Sequence, residues 1–277
     1  MVFSDRNILN GLAVRKKGRE KLKTVAIIVA RMESTRLPGK AMLPILGRPM
    51  IERMIERVRH SRYVTQIIIA TTELASDDVL AALAKRLGVE CFRGSVDDVL
   101  KRIHAAAATV DAELLVELLG DNPLVHSDLI DDVIDFYHAN QCDYAASVTT
   151  EYPHAGPKIA TFPIGIRVQV FTPAVLDQCQ QLASTSYHRE NSTTYIYEHP
   201  EKFKLGYFEA KGKWTELNRS ELTFAVNYQQ NLDLVSQLFE LCYPRDANFS
   251  LSAILQVLDE TPWLASLARI PSDRNRL

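Results

Sequence analysis

The chain has 277 residues, 47% of them apolar and 24% charged, with a formal net charge of −2. That length suits one α/β domain with an excursion, and the apolar share is enough for a large core. The near-neutral balance excludes a global field that would recruit nucleic acid or an anionic membrane, so any phosphate must be held by local cations.

The first 23 residues carry Arg15, Lys16, Lys17, Arg19, Lys21 and Lys23 without an apolar segment, and read as a solvated basic arm rather than a signal peptide. Val25–Ala30 is a continuous apolar run of the kind buried on both faces of a parallel sheet. A polar loop leads to a helix over Met50–Arg59, where Ile51, Met54, Ile55 and Val58 recur at helical spacing. Gln66–Thr72 is a second buried strand, Asp77–Leu87 a helix closed by Gly88, and Val89–Phe92 a short strand. An alanine-rich helix spans Asp97–Thr109, with Asp97 or Ser95 as its cap. Glu113–Leu119 is a further strand, Asp128–Ala139 a helix and Tyr144–Val148 extended. This alternation predicts a doubly wound, mostly parallel sheet, with ligands beyond the carboxyl ends of its strands.

From about Thr150 to Gly206 the rhythm breaks. The segment holds Pro153, Pro157, Pro163 and Pro173, a strand-like Gly165–Phe171 and polar helical pieces, and reads as a β-rich excursion carrying acceptor or subunit contacts. Leu222–Asn227 resumes the core as a strand, and helices over Gln229–Leu241 and Leu251–Leu264 close the chain. Cys91, Cys142, Cys179 and Cys242 lie far apart with no metal-spaced histidine, which argues against a zinc site or a disulfide framework and suits a reducing cytoplasm. No apolar run approaches the roughly 18 residues of a membrane span.

The loop Ala30-Arg31-Met32-Glu33-Ser34-Thr35-Arg36-Leu37-Pro38-Gly39-Lys40 leaves a buried strand with three cations among small polar residues. A triphosphate needs cations and backbone N–H donors on one concave surface, and this loop offers both. It has neither P-loop nor GxGxxG spacing. On residue pattern alone, an exposed basic loop with a Pro-Gly turn fits equally well.

That loop, with Leu43-Pro44-Ile45-Leu46-Gly47-Arg48-Pro49-Met50, resembles the opening signature of the cytidylyltransferase family that includes the acylneuraminate, KDO and spore-coat (SpsF-type) proteins. The resemblance runs on through Ile69–Thr72, Phe92–Leu100, Gly120-Asp121-Asn122-Pro123-Leu124 and Tyr187–Glu190. The tail, Tyr243–Arg245 and Asn248–Leu251, resembles the spore-coat branch. It implies a Rossmann-like, GT-A-like nucleotidyltransferase domain over residues 24–277, with a dimerising excursion at about 150–206. It further implies CTP as donor, a small acidic acceptor such as a sialic-acid-like or KDO-like sugar, Mg²⁺ as cofactor and a homodimer. Arg31, Lys40 and Asp121 would be catalytic, and Ala30, Arg31, Met32, Ser34, Arg36, Lys40, Thr71, Arg93 and Asp98 would bind the nucleotide. By residue type alone, Arg93 is equally a strand-end arginine, Asp98 part of a helix cap, Thr71 a β-former and Asp121 an Asx-turn residue.

Several positions depart from the family's pattern. Asp121 is the expected metal carboxylate, but Asn227 stands where a second is expected and Asn231 replaces a later acid. Glu117 replaces a basic residue and Leu119 a threonine, while His126-Ser127 replaces Asp-Pro. Ile166-Arg167-Val168-Gln169 and Asn191-Ser192 alter the acceptor region. Arg167, His188 and Arg189 are the candidate acceptor contacts, the arginines suiting a planar carboxylate and His188 fitting a structural surface role as well. Transfer to a phosphonate or a sugar phosphate, and a catalytically weakened nucleotide-binding protein, are the rival readings.

Overall fold

The computed structural model describes residues 22–151 and 159–270; most of the basic arm, together with Pro153 and Pro157, lies outside them. Strands β1 (Thr24–Val29), β4 (Val64–Thr72), β5 (Glu90–Gly94) and β6 (Leu114–Leu119) form the parallel half of a seven-stranded sheet. A small hairpin of β2 (Pro44–Ile45) and β3 (Arg48–Pro49) stands apart from it. Helices α1 (Met50–Val58), α2 (Asp78–Leu87), α3 (Val99–Ala108) and α4 (Ser127–Asn140) connect and cover the strands. The sheet order is β5-β4-β1-β6-β8-β7-β9, with β7 (Tyr144–Ser147) and β9 (Leu205–Phe208) mutually parallel and β8 (Gln169–Phe171) antiparallel to both its neighbours.

β1 is apolar from Val25 to Val29 because each face meets a separate core. Ala26 and Ile28 pack with α1 and α4, and Val25 and Ile27 with α3. Glu117 sits in the middle of β6, paired with Ile27 on one side and Gln169 on the other. At the carboxyl end of the sheet, the Gly120 amide donates to the Val29 carbonyl at 2.9 Å. A Cβ at Gly120 would lie 2.8 Å from that carbonyl and from Ala30 Cβ, so only glycine lets the two loops leave side by side.

Three expectations need correction. The excursion is mostly helical, containing α5 (Pro173–Leu182), α6 (Ser186–Glu190) and α7 (Thr194–Glu198) rather than a set of strands. Pro173 occupies the first turn of α5, where its missing N–H costs nothing, and Thr172 and Thr185 cap α5 and α6. Secondly, Leu222–Asn227 is no strand: it is buried from Leu222 to Val226 and makes isolated bridges, Thr223 with Ile164 and Leu222 with Arg269. It crosses the chain at Gly165, whose φ is +94° and where a Cβ would lie 2.1 Å from the Ala225 nitrogen. Thirdly, the cap of α3 is Asp98, which accepts from the Lys101 amide at 2.8 Å, while Ser95 accepts from Asp98.

Helices α8 (Gln229–Cys242), α9 (Leu251–Glu260) and α10 (Pro262–Ala268) are the last among the described residues. The buried Arg57 guanidinium donates to the Val125 carbonyl at 3.1 Å and the Phe249 carbonyl at 3.0 Å, and lies 4.3 Å over the Phe249 ring. Burial pushes it down to about 10, opposed by Cys242 and Asp246. His126 Nε2 adds a bond to the Asn248 carbonyl at 3.1 Å. The Asn248–Leu251 tail is thus a support for the turn that follows β6.

Candidate active site

A cavity of about 720 Å³ opens beyond the carboxyl ends of β1 and β6. Sequence reasoning placed Ala30, Arg31, Ser34, Arg36, Lys40, Asp121 and Arg167 at the site, and all seven line this cavity. Three loops converge on Lys40. The Lys40 ammonium donates to Asp121 Oδ2 at 2.8 Å, the Val226 carbonyl at 2.9 Å and Asn227 Oδ1 at 3.2 Å. Asn227 Oδ1 also accepts from Arg36 at 3.0 Å, and the Arg36 guanidinium lies 5.6 Å over the Tyr228 ring. The Val226 amide donates to the Asp121 carbonyl at 2.8 Å, fixing the late segment to the turn after β6.

The remaining nominated residues have other jobs. The Met32 amide donates to Asp77 Oδ1 at 2.8 Å, and its carbonyl accepts from the amides of Ser34 and Gly39, closing the basic loop on itself. Thr71 and Thr72 donate their hydroxyls to the other oxygen of Asp77. Burial alone would raise the Asp77 carboxyl, but hydrogen bonds from Thr72, the Met32 amide and Thr71 bring it below its ordinary range. Arg93 clamps the following turn, donating to the Thr72 carbonyl at 3.0 Å, the Leu74 carbonyl at 2.8 Å and Asp78 at 2.5 Å. Asp98 caps α3 and meets Arg189 at 3.6 Å, and Arg189 also bonds Gln180 through both terminal nitrogens. His188 bonds Glu198 at 2.7 Å and meets the Tyr195 ring edge-on. None of Met32, Thr71, Arg93, Asp98, His188 and Arg189 lines the cavity, and neither does Asn227, which reaches it only through Lys40 and Arg36.

Two positions that shape or line the cavity escaped sequence reasoning. Asp77 looked like the first residue of a helix, yet it is the knot that fixes where the basic loop starts. Arg102 is 2% exposed, lines the cavity and donates to the Ser95 carbonyl at 2.6 Å, while its Nε has no partner among the described residues. Burial, and then the neighbouring Arg31 charge, lowers its affinity for its proton. The signal was available: Arg102 sits three residues after Val99 and four before the buried Ala106, a cation within the inward stripe of α3.

At the other end of the cavity, Arg167 approaches Glu151 at 3.9 Å. Ser192 donates to Glu117 Oε1 at 2.7 Å, and Gln169 Oε1 accepts from the hydroxyls of Thr193 and Tyr144, each at 2.6 Å. Asn231 Oδ1 accepts from the amides of Asn227 at 3.2 Å and Tyr228 at 3.0 Å, so this departure from the acidic pattern still serves as a helix cap. Asp121 Oδ2, the Val226 carbonyl and Asn227 Oδ1 are hard oxygen donors converging on one point, at present the Lys40 ammonium. No group of three or more His, Cys, Asp or Glu residues suited to a metal occurs among the described residues. One carboxylate with neutral oxygens matches the way Mg²⁺ shares its coordination with substrate phosphates.

A family model described as Cytidylyltransferase matches residues 25–245. The spore coat polysaccharide biosynthesis protein SpsF of Bacillus subtilis is 27% identical over 241 residues, covering 85% of this chain and 94% of that protein. A 3-deoxy-manno-octulosonate cytidylyltransferase of Geobacter metallireducens is 35% identical over 113 residues, covering 41% of this chain and 44% of that one. A cytidylyltransferase structure from Leptospira borgpetersenii superposes with a TM-score of 0.78 at 27% identity, covering 91% of this chain and 98% of the other. No helix among the described residues is long and apolar enough to cross a membrane.

Proposed function

The chain belongs to the cytidylyltransferase family, and on that premise we propose that it transfers CMP from CTP to an acidic sugar, releasing pyrophosphate, in surface polysaccharide or glycoconjugate assembly. The observation that carries this reading is the meeting of Lys40 with Asp121, both of which line the cavity with Arg31, Arg36 and Arg102, Lys40 also donating to Val226 and Asn227. An acceptor hydroxyl gives up its proton to solvent and its oxygen attacks the α-phosphorus; a new P–O bond forms, the α–β bridge breaks, and pyrophosphate carries its negative charge away. Arg31, Arg36 and Lys40 neutralise the triphosphate and hold the leaving group, and the basic loop adds backbone donors. Arg167 is the acceptor-carboxylate contact, because its guanidinium lines the cavity and the other two candidates do not.

Mg²⁺ belongs to this reading. Asp121 and Asn227 would hold it, and when bound it supplies charge neutralisation on the phosphates. A homodimer working in the cytoplasm is carried over from the family resemblance. One observation favours a second reading, a nucleotide-binding protein with weakened catalysis: Asn227 offers a neutral oxygen where the family's pattern has an acid. The test is pyrophosphate release with each of the four nucleoside triphosphates, with and without Mg²⁺ and an acidic sugar. Release with CTP alone, dependent on the sugar, supports the proposal. CTP binding without turnover across a panel of acidic sugars would replace it with the second reading.

A further inference from the structure

The two ends of the cavity have opposite sign. Arg31, Arg36, Lys40 and Arg102 outnumber Glu33 and Asp121 at the nucleotide end. Among the described lining residues at the acceptor end, the carboxylates of Glu151 and Glu190 and the buried carboxyl of Glu117 are set against the single guanidinium of Arg167. A doubly anionic acceptor would meet net repulsion there, so Arg167 alone describes only half of what this wall recognises.

Glu117 supplies an independent pointer to a ligand. It is 2% exposed, and its Oε1 accepts the Ser192 hydroxyl at 2.7 Å. Its Oε2 has no hydrogen-bond partner among the described residues, although the side chain lines the cavity. A buried carboxyl oxygen left without a donor is costly, and natural sites retain one where a ligand completes it. The strand ladder holds Glu117 in place between Ile27 and Gln169, so the side chain cannot leave by a backbone shift. Gln169 is already engaged by Thr193 and Tyr144.

We propose that the acceptor is zwitterionic: an acid sugar bearing a free amine, its carboxylate on Arg167 and its ammonium on Glu117 Oε2. This rests on the acidic-sugar reading above and narrows it. A hydroxyl in the ammonium's place would satisfy the hydrogen bond but leave the surplus of carboxylates uncompensated. An N-acetylated amine would bring bulk and no charge.

The test compares 3-deoxy-manno-octulosonate, a series of its amino-deoxy analogues with the amine at successive positions, and the N-acetylated form of each, by initial rates of pyrophosphate release from CTP. One amino form should exceed both the parent and its own N-acetyl form in kcat/KM by at least about tenfold. Glu117→Gln keeps the shape and removes the charge, and should cut that preference below about threefold. Equal or better use of the parent or an N-acetyl form overturns the zwitterion while leaving the acidic-sugar reading intact. A preference that survives in Glu117→Gln also overturns it. Calorimetric CTP binding with every acceptor inert overturns both readings, whereas absence of CTP binding removes the nucleotide premise itself. The wild-type comparison needs no variant, so a poorly folding Glu117→Gln does not shield the proposal.

Discussion

Lys40 Nζ and Asp121 Oδ2 stand 2.8 Å apart, with side-chain exposures of 16% and 23%. The contact joins two loops separated by 81 residues, and Asp121 is the carboxylate proposed above to hold Mg²⁺. In Asp121→Asn the ammonium keeps its carbonyl and amide partners but loses its counter-charge. We expect turnover to fall about a hundredfold or more with little change in CTP affinity, read by pyrophosphate release and calorimetry. Near-normal turnover would remove Asp121 from the reaction.

Asn227→Asp adds a charge where Arg36 and Lys40 already donate. The Mg²⁺ concentration giving half-maximal activity should fall about three- to tenfold. An unchanged Mg²⁺ profile together with a raised Tm would show that the new carboxylate pairs with the two cations and leaves the metal alone.

Asp77 should matter twice. Asn at this position cannot accept from Met32, Thr71 and Thr72 together, so Asp77→Asn should cost about 2 kcal/mol and weaken CTP binding several-fold by loosening the start of the basic loop. Its carboxyl lies below the ordinary range when folded. The stability it brings is therefore present above the unfolded pKa of about 3.9 and disappears as pH falls through the lower, folded value. Acid unfolding below about pH 4 should be shallower in Asp77→Asn.

Glu117 titrates in the opposite sense. Burial raises its carboxyl, against the Ser192 hydrogen bond and the Arg167 charge. The folded protein keeps a proton that the unfolded chain releases near pH ~4.3. Its contribution is whole below that pH and declines as pH climbs through the raised folded pKa. Glu117→Gln should therefore gain Tm relative to the unliganded wild type as pH rises above the unfolded value of about 4.3. Parallel Tm curves over that range would mean Glu117 is already ionised without ligand.

Arg93 and Arg102 form a matched pair. Arg102→Met should weaken CTP binding about tenfold, because the guanidinium lines the cavity. Arg93→Met should leave CTP affinity within about twofold and lower Tm by several degrees, because its donors go to Thr72, Leu74 and Asp78. Reversed outcomes would relocate the nucleotide.

Much of this site was readable beforehand because it lies at the ends of continuous apolar strands. The run into Arg31–Lys40 and the run into Gly120–Asp121 each announce a loop beyond a parallel sheet. Arg93 and Asp98 were ambiguous for a physical reason: the groups that would meet a ribose or a phosphate also close a turn or cap a helix, and here the turn and the helix took them. Leu222–Asn227 was readable as buried but not as unpaired, since apolarity records burial and says nothing of a neighbouring strand. The helices after Thr172 were marked by threonine caps and Pro173, signals obscured by the prolines around them. Glu117 read as a departure in charge; only the pairing of β6 with β8 shows that it faces Ser192 and Arg167.

The place of β8 has an evolutionary consequence. The nucleotide end comes mainly from one unbroken stretch, residues 30–121, whereas the acceptor wall, apart from Glu117 on β6, comes from later in the chain, where β8 enters the sheet beside β6. Exchange confined to residues 165–197 can therefore give a descendant a different acceptor while its hold on the triphosphate is inherited unchanged. Divergence of this kind proceeds by replacing one cassette, and a library randomised at Arg167, Ser192 and Asn191 is where new acceptors would be selected.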